Sequence, residues 1–212
     1  MNFILSHSQC LMNRLQKISC KYKEKKLFLD VGCGNGQRTV LFDDYSRVIY
    51  GVDRLNWLMA ENKPKINFSK VDFNCQELSY DSGTFDIVFS FDVIEHLPDA
   101  GFMLKEIYRV LKNDGIFVVS TPNRNRLFGF FLQLLGLRKF PYLPEPEKTK
   151  DDPYAAHIME YTISDLKRVV EKAGFSIIRA HKVFYGLTGG SGFCDLFSLP
   201  LFHNIILECG KK

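Results

Sequence analysis

The segment Leu27-Phe28-Leu29-Asp30-Val31-Gly32-Cys33-Gly34-Asn35-Gly36 constrains this chain more than any other: an apolar run of strand type enters a turn in which alternate residues are glycine. Glycine lets the backbone approach a ligand where a Cβ would collide, and the helix expected to follow presents unpaired N–H groups. A turn of this kind belongs to a nucleotide-cofactor site at the start of an α/β fold. Its dinucleotide form, G-x-G-x-x-G/A, is not matched, because the third glycine comes one residue early and Gln37 holds the final position.

The rest of the chain repeats the strand-then-helix theme. Apolar runs rich in β-branched or aromatic residues predict seven strands, at Leu27–Val31, Val48–Val52, Asn67–Val71, Phe85–Phe91, Gly115–Thr121, Ser176–Phe184 and Asn204–Glu208. Helices are predicted over Gln37–Asp44, Asn56–Asn62, Gly101–Leu111 and Ile163–Ala173, and in the third Phe102, Leu104, Ile107, Tyr108 and Leu111 share one stripe. Gly186–Phe202, between the last two strands, shows no long helix, so those strands are expected to form an antiparallel hairpin at a sheet edge.

Composition limits the function classes. A chain of 212 residues with 46% hydrophobic content is expected to form one domain over 1–212, with a helical segment at 1–26 and an insert at 123–161. No run approaches the ~18 apolar residues of a membrane span. The opening MNFILSHSQC lacks the features of a signal peptide, and the six cysteines form no CxxC pair, so reduced thiols and a cytoplasmic location are expected. The net charge is +4, but residues 1–26 alone hold six Lys/Arg against one Glu. The basicity is therefore local, either a solvated helix face or a landing patch for phosphates, and a nucleic-acid partner is not expected.

Two further acids follow the glycine turn. Asp53 ends the next apolar strand, 17 residues after Gly36, where a carboxylate can accept both ribose hydroxyls of an adenosine. Asp72 ends the third strand beside Phe73, so that the acid can accept from an adenine amino group while the ring lies on the purine. Asp30, just before the turn, is placed to hold the ammonium of an amino acid. Adenosine joined to an amino acid, as in S-adenosylmethionine, is the ligand these acids fit.

From Leu27 to Phe175 the chain resembles the class I S-adenosylmethionine-dependent methyltransferases, in LDVGCGNG, the acid of YGVDR, KVDF, FDIVFSFDVIEHLPD, EIYRVLKNDGIFVVSTPN and HIMEYTISDLKRVVEKAGF. It is similar in particular to the branch holding ubiquinone-pathway O-methyltransferases and many small-metabolite methyltransferases. The resemblance implies a Rossmann-like, seven-stranded, mostly parallel sheet with an antiparallel last strand and helices on both faces. It implies S-adenosylmethionine as cofactor and contacts from Asp30, Gly32, Gly34, Asp53, Asp72 and Phe73. With their neighbours Cys33, Gly36, Arg54 and Phe91, these form the candidate cofactor set.

The acceptor side is less defined. Methyl transfer to a small-molecule, sugar or lipid-linked acceptor, at oxygen and by direct in-line displacement, is the expected reaction, with His96 as candidate base after the fourth strand. A histidine there can instead merely fix the loop. Asp92, Glu95, His96 and His157 also resemble the metal cluster of small-RNA 3′-terminal 2′-O-methyltransferases, with Asp92 one carbon shorter than the usual Glu; no metal is assigned. The stretch Leu127–Leu137, bounded by Arg126 and Arg138, reads either as a lid or as an interfacial helix touching a membrane surface or an isoprenoid substrate. An RNA acceptor, drawing on Lys21–Lys26, Arg124 and Arg126, and a non-catalytic cofactor-binding subunit are the competing functions.

Overall fold

A computed structural model describes residues 7–43, 47–125, 135–136, 157–183 and 202–212, with residues 7–10 described by backbone alone. Seven strands form one sheet: β1 (Leu27–Val31), β2 (Val48–Asp53), β3 (Asn67–Lys70), β4 (Phe85–Phe91), β5 (Leu111–Pro122), β6 (Phe175–Val183) and β7 (Asn204–Lys211). Their order is β3-β2-β1-β4-β5-β7-β6, with β1 to β5 paired in parallel and β7 antiparallel to both β5 and β6. The expected hairpin is present, and β6 takes the edge. Between β1 and β4 the winding reverses direction, and such a switch point opens a crevice at the carboxyl ends of the strands.

The expected helices on both faces are also present. α1 (His7–Lys21) packs Leu11, Leu15 and Ile18 against Phe28, Ile49 and Ile87 on one face. On the other face α2 (Gly101–Val110) and α3 (Ile163–Lys172) bury Leu104, Ile107, Leu166 and Val170 against Val88, Phe117 and Leu207. Thr162 starts α3 with a reciprocal cap, its hydroxyl accepting from Asp165 N while the Asp165 carboxylate accepts from Thr162 N. Among the described residues no helix is long and apolar enough to cross a membrane.

Two predicted helices are replaced by tighter structure. Instead of a helix over Gln37–Asp44 there is a 3-10 turn, Thr39–Phe42, with Thr39 and Phe42 buried. Thr39 and Val40 are β-branched, and Asp43-Asp44 would set two acids at the negative end of a helix, so the helix has little to support it. Phe42 instead stacks on Phe89 at 4.4 Å and on Phe28 at 5.0 Å, which fixes the turn over the sheet. Asn56–Asn62 is likewise not helical. Leu58 N donates to Asn56 Oδ1, and Met59 N and Asn62 Nδ2 both donate to Asn35 O, so the amides tie this segment to the glycine turn. Pro64 then ends any helical continuation in a short 3-10 turn, Lys63–Lys65.

Candidate functional site

The carboxyl ends of β1, β2 and β4, with the residues after β3, converge on two cavities. One, of about 180 Å³, is lined by Gly32, Asp53, Arg54, Trp57, Asp72, Phe73, Asn74, Asp92, Val93, His96 and Leu97. The other, of about 350 Å³, is lined by Asp30, Gly32, Cys33, Gly34, Asn35, Gln37, Arg38, Phe91 and Asp92. Gly32 and Asp92 belong to both walls, so the cavities adjoin. Of the ten candidate cofactor residues only Gly36 lies on neither. A Cβ on Gly36 would press on Ile66, Leu58 and Asn62, so packing accounts for that glycine.

The other two glycines of the turn have different physical reasons. Gly32 has φ +84 and a Cβ there would collide with the Val93 side chain. Gly34 has φ +52 and a Cβ there would meet nothing within 4 Å, leaving its backbone bare toward the second cavity. The turn is pinned by Asp53, whose Oδ2 accepts from Gly34 N at 2.8 Å, and by Gly32 N and Cys33 N donating to Val52 O. Asp53 therefore orders the turn as well as facing the first cavity. Asp72 likewise closes a local turn, Oδ1 accepting from Asn74 N and Nδ2 at 3.0 and 2.9 Å.

Asp30 is buried beneath the turn. Its Oδ2 accepts from Thr39 Oγ1 at 2.6 Å, while Oδ1 has no hydrogen-bond partner. Burial pushes its pKa up to about 7, against the opposing pull of Thr39 and Arg38. A buried carboxylate oxygen without a donor, on the wall of a cavity, fits a ligand that brings a cation or donor. The neighbouring Cys33 thiol is raised by desolvation and is unreactive there.

Asp92, the first residue after β4, is the one described non-glycine residue with positive φ, at +54. Four contacts hold it: its N donates to Ser120 O, Oδ1 accepts from Ser120 Oγ at 3.0 Å and from Asn204 Nδ2 at 3.3 Å, and Oδ2 pairs with Arg38 at 2.7 Å. Backbone strain of this sort persists where surrounding structure enforces it.

His96 is half-buried on a 3-10 turn, Ile94–His96, and its ring meets that of His157 edge-on with centroids 4.9 Å apart. Glu95 brings the two together. Its backbone carbonyl accepts from Ile158 N at 2.8 Å and Met159 N at 3.0 Å, while its buried Oε2 accepts from Thr121 Oγ1 at 2.9 Å. Desolvation, then the Asp92 charge, push the Glu95 pKa up to about 8, and Oε1 has no partner. Ligand atoms of Glu95, His96 and His157 lie within 4.8 Å of one another. The fourth residue of the sequence-proposed metal cluster, Asp92, is committed to Arg38 and Ser120 instead.

Two cations of the N-terminal segment are paired within the molecule: Lys21 Nζ donates to buried Glu208 at 2.7 Å and Lys25 pairs with Asp114. Outside that segment, Arg124 lies 3.8 Å from Asp165. Tyr22 and His181 also contact Glu208, at 2.5 and 2.6 Å, which fastens α1 to β6 and β7. The stretch Leu127–Leu137, read as a lid or interfacial helix, lies outside the described residues except for Leu135 and Gly136. Arg38, Trp57 and Asn74 entered the cavity walls unannounced by any motif, since their placement depends on turns rather than on strand ends.

Fold and crevice together define a Rossmann-like domain with two adjoining cavities at its switch point. Comparison with known proteins is consistent: a family model described as a methyltransferase domain matches residues 7–180. Over 161 residues the chain is 31% identical to a probable S-adenosylmethionine-dependent methyltransferase of Mycolicibacterium smegmatis, covering 74% of this chain and 55% of that protein. Over 185 residues it is 26% identical to a ubiquinone biosynthesis O-methyltransferase of Coxiella burnetii, covering 82% and 76%. Among solved structures, the 1,6-didemethyltoxoflavin-N1-methyltransferase of Burkholderia thailandensis, with bound S-adenosylhomocysteine, shares the fold with a TM-score of 0.66 at 18% identity, over 95% of this chain and 78% of that one. The chain belongs to the methyltransferase domain family.

Proposed function

We propose that this chain transfers a methyl group from S-adenosylmethionine to an oxygen of a small-molecule, sugar or lipid-linked acceptor. The observation that carries the reading is the meeting of Gly32, Asp53, Asp72 and His96, from the ends of consecutive strands, on one cavity wall. A dinucleotide would rest its pyrophosphate on a helix start after the glycine turn. Here that helix is only a four-residue 3-10 turn, and the adjoining cavity holds Asp30, whose unpartnered oxygen suits an amino-acid ammonium, while Asp92 is paired with Arg38.

When bound, S-adenosylmethionine supplies an electrophilic methyl group on a sulfonium. Asp53 and Asp72 would hold the nucleoside by accepting from its hydroxyl and amino donors, with the buried Phe73 ring available to the base. The unpartnered Asp30 Oδ1 would accept from the amino-acid end. His96 would take the proton of the acceptor hydroxyl, and the crevice residues would hold the acceptor oxygen in line for attack. The Coxiella relative's O-methyltransferase name supports oxygen as the acceptor atom. Four described cysteines are free thiols, which suits a cytoplasmic site of action.

The test is transfer of labelled methyl from S-adenosylmethionine to a panel of phenols, catechols, polyprenylated phenols, sugars and amines. Label on a hydroxyl compound supports the reading. Label confined to amines overturns the oxygen assignment, and cofactor binding without transfer to any acceptor points to the non-catalytic subunit.

A further inference from the structure

The second cavity carries one cation, Arg38, that no motif of the chain accounts for. It stands on the wall with Asp30, Asp92 and the bare backbone of Gly34, so that one guanidinium faces two carboxylates. Arg38 is 41% exposed along its side chain and donates through Nη1 to Asp92 Oδ2 at 2.7 Å. That single contact occupies one of its five N–H groups and orients a planar fork whose other edge can meet a second carboxylate. Asp92 is itself fixed by Ser120 and Asn204 in its unusual backbone conformation, so Arg38 is tethered to a rigid post.

The charges around this cavity match a zwitterion. An amino acid presents a carboxylate and an ammonium on one carbon. Asp30 offers a buried, unpartnered oxygen for the ammonium, and Arg38 is the cation on that wall available to a carboxylate. Arg54, the arginine of the adjoining cavity, lies beside Asp53 at the nucleoside end.

We infer that Arg38 is the receptor for the carboxylate of the cofactor's amino-acid end, with Asp92 as the residue that positions it. The inference rests on the reading of the two cavities as one S-adenosylmethionine site. Loss of a charge-assisted pair of hydrogen bonds weakens binding about 10- to 100-fold. The effect must be confined to ligands that carry the carboxylate.

The experiment is calorimetric titration of the wild-type chain, Arg38→Met and Arg38→Lys with S-adenosylhomocysteine and with 5′-methylthioadenosine, which has the same nucleoside and sulfur but no amino acid. Arg38→Met weakens S-adenosylhomocysteine about 10- to 100-fold and changes 5′-methylthioadenosine less than about twofold, while Arg38→Lys recovers part of the loss. Equal weakening of both ligands in Arg38→Lys, whose charge is retained, overturns the inference, as does unchanged S-adenosylhomocysteine affinity in Arg38→Met. A wild-type chain that binds neither ligand removes the reading of the site itself, and this inference with it.

Discussion

The two halves of the crevice are built in different ways. The half proposed to hold the cofactor is made of strand ends and the turns that leave them: Asp30 and Gly32 from β1, Asp53 from β2, Asp72 just after β3, each within a few residues of a buried apolar run. The half proposed to hold the acceptor is assembled across the sequence, with His157 brought to His96 because Ile158 and Met159 hang from the Glu95 carbonyl. Local construction makes the first half robust and readable. Remote construction makes the second depend on a few hydrogen bonds and on one buried acid.

The contrast is sharpest in catalysis. His96→Ala is expected to lower kcat by about 10²–10⁴, the usual contribution of a general base, while S-adenosylhomocysteine affinity by calorimetry stays within about threefold. Equal losses in both would place His96 in the cofactor half. Within that half, Gly32→Ala should cost about 2–5 kcal/mol, because left-handed strain and a collision with Val93 add together. Gly34→Ala, with open space for its Cβ, should cost only about 1–2 kcal/mol in thermal melts yet weaken S-adenosylhomocysteine, which needs that space. Matching melting curves for the two variants would break the distinction between a packed and a ligand-facing glycine.

Glu95 supplies a pH test of the acceptor half. Its folded pKa, near 8, lies above the ordinary 4.5, so the folded state keeps a proton that the unfolded chain gives up. Its contribution to stability is full below about pH 4.5 and is lost as pH rises toward 8. Asp30, at about 7 against an ordinary 3.8, acts in the same direction. Glu95→Gln should therefore flatten the decline of melting temperature between about pH 5 and 8, and an unchanged slope would show that Glu95 is ionised in the folded chain. The smallest effect is expected from chelation. Turnover should survive exhaustive removal of divalent cations; its loss, with recovery on adding them back, would turn Glu95, His96 and His157 from a hydrogen-bonded scaffold into metal ligands.

Much of this architecture was legible because it follows from short-range chemistry. Seven apolar runs marked the strands to within a few residues, although β5 starts at Leu111, four residues before the expected Gly115. The reversed last strand followed from the lack of a helical pattern in the sequence of Gly186–Phe202. The helices after β1 and β2 were misread because β-branched residues, asparagine side chains and Pro64 favour tight turns, and the alternative contacts to Phe89 and Asn35 lie far away in sequence. Glycines were visible as a pattern but not by reason: spacing could not tell Gly36, held by packing, from Gly34, which faces the cavity. Arg38 was invisible because its meaning lies in Asp92, 54 residues further on.

The account stands or falls on Asp53, which both pins the glycine turn through Gly34 and faces the nucleoside cavity. The direct measurement is calorimetric titration of S-adenosylhomocysteine and NAD into the wild-type chain and Asp53→Asn. S-adenosylhomocysteine is expected to bind the wild type with one site per chain and Asp53→Asn about 10- to 100-fold more weakly, with no heat from NAD. Equal affinity of both proteins for S-adenosylhomocysteine, or tighter binding of NAD, would contradict it.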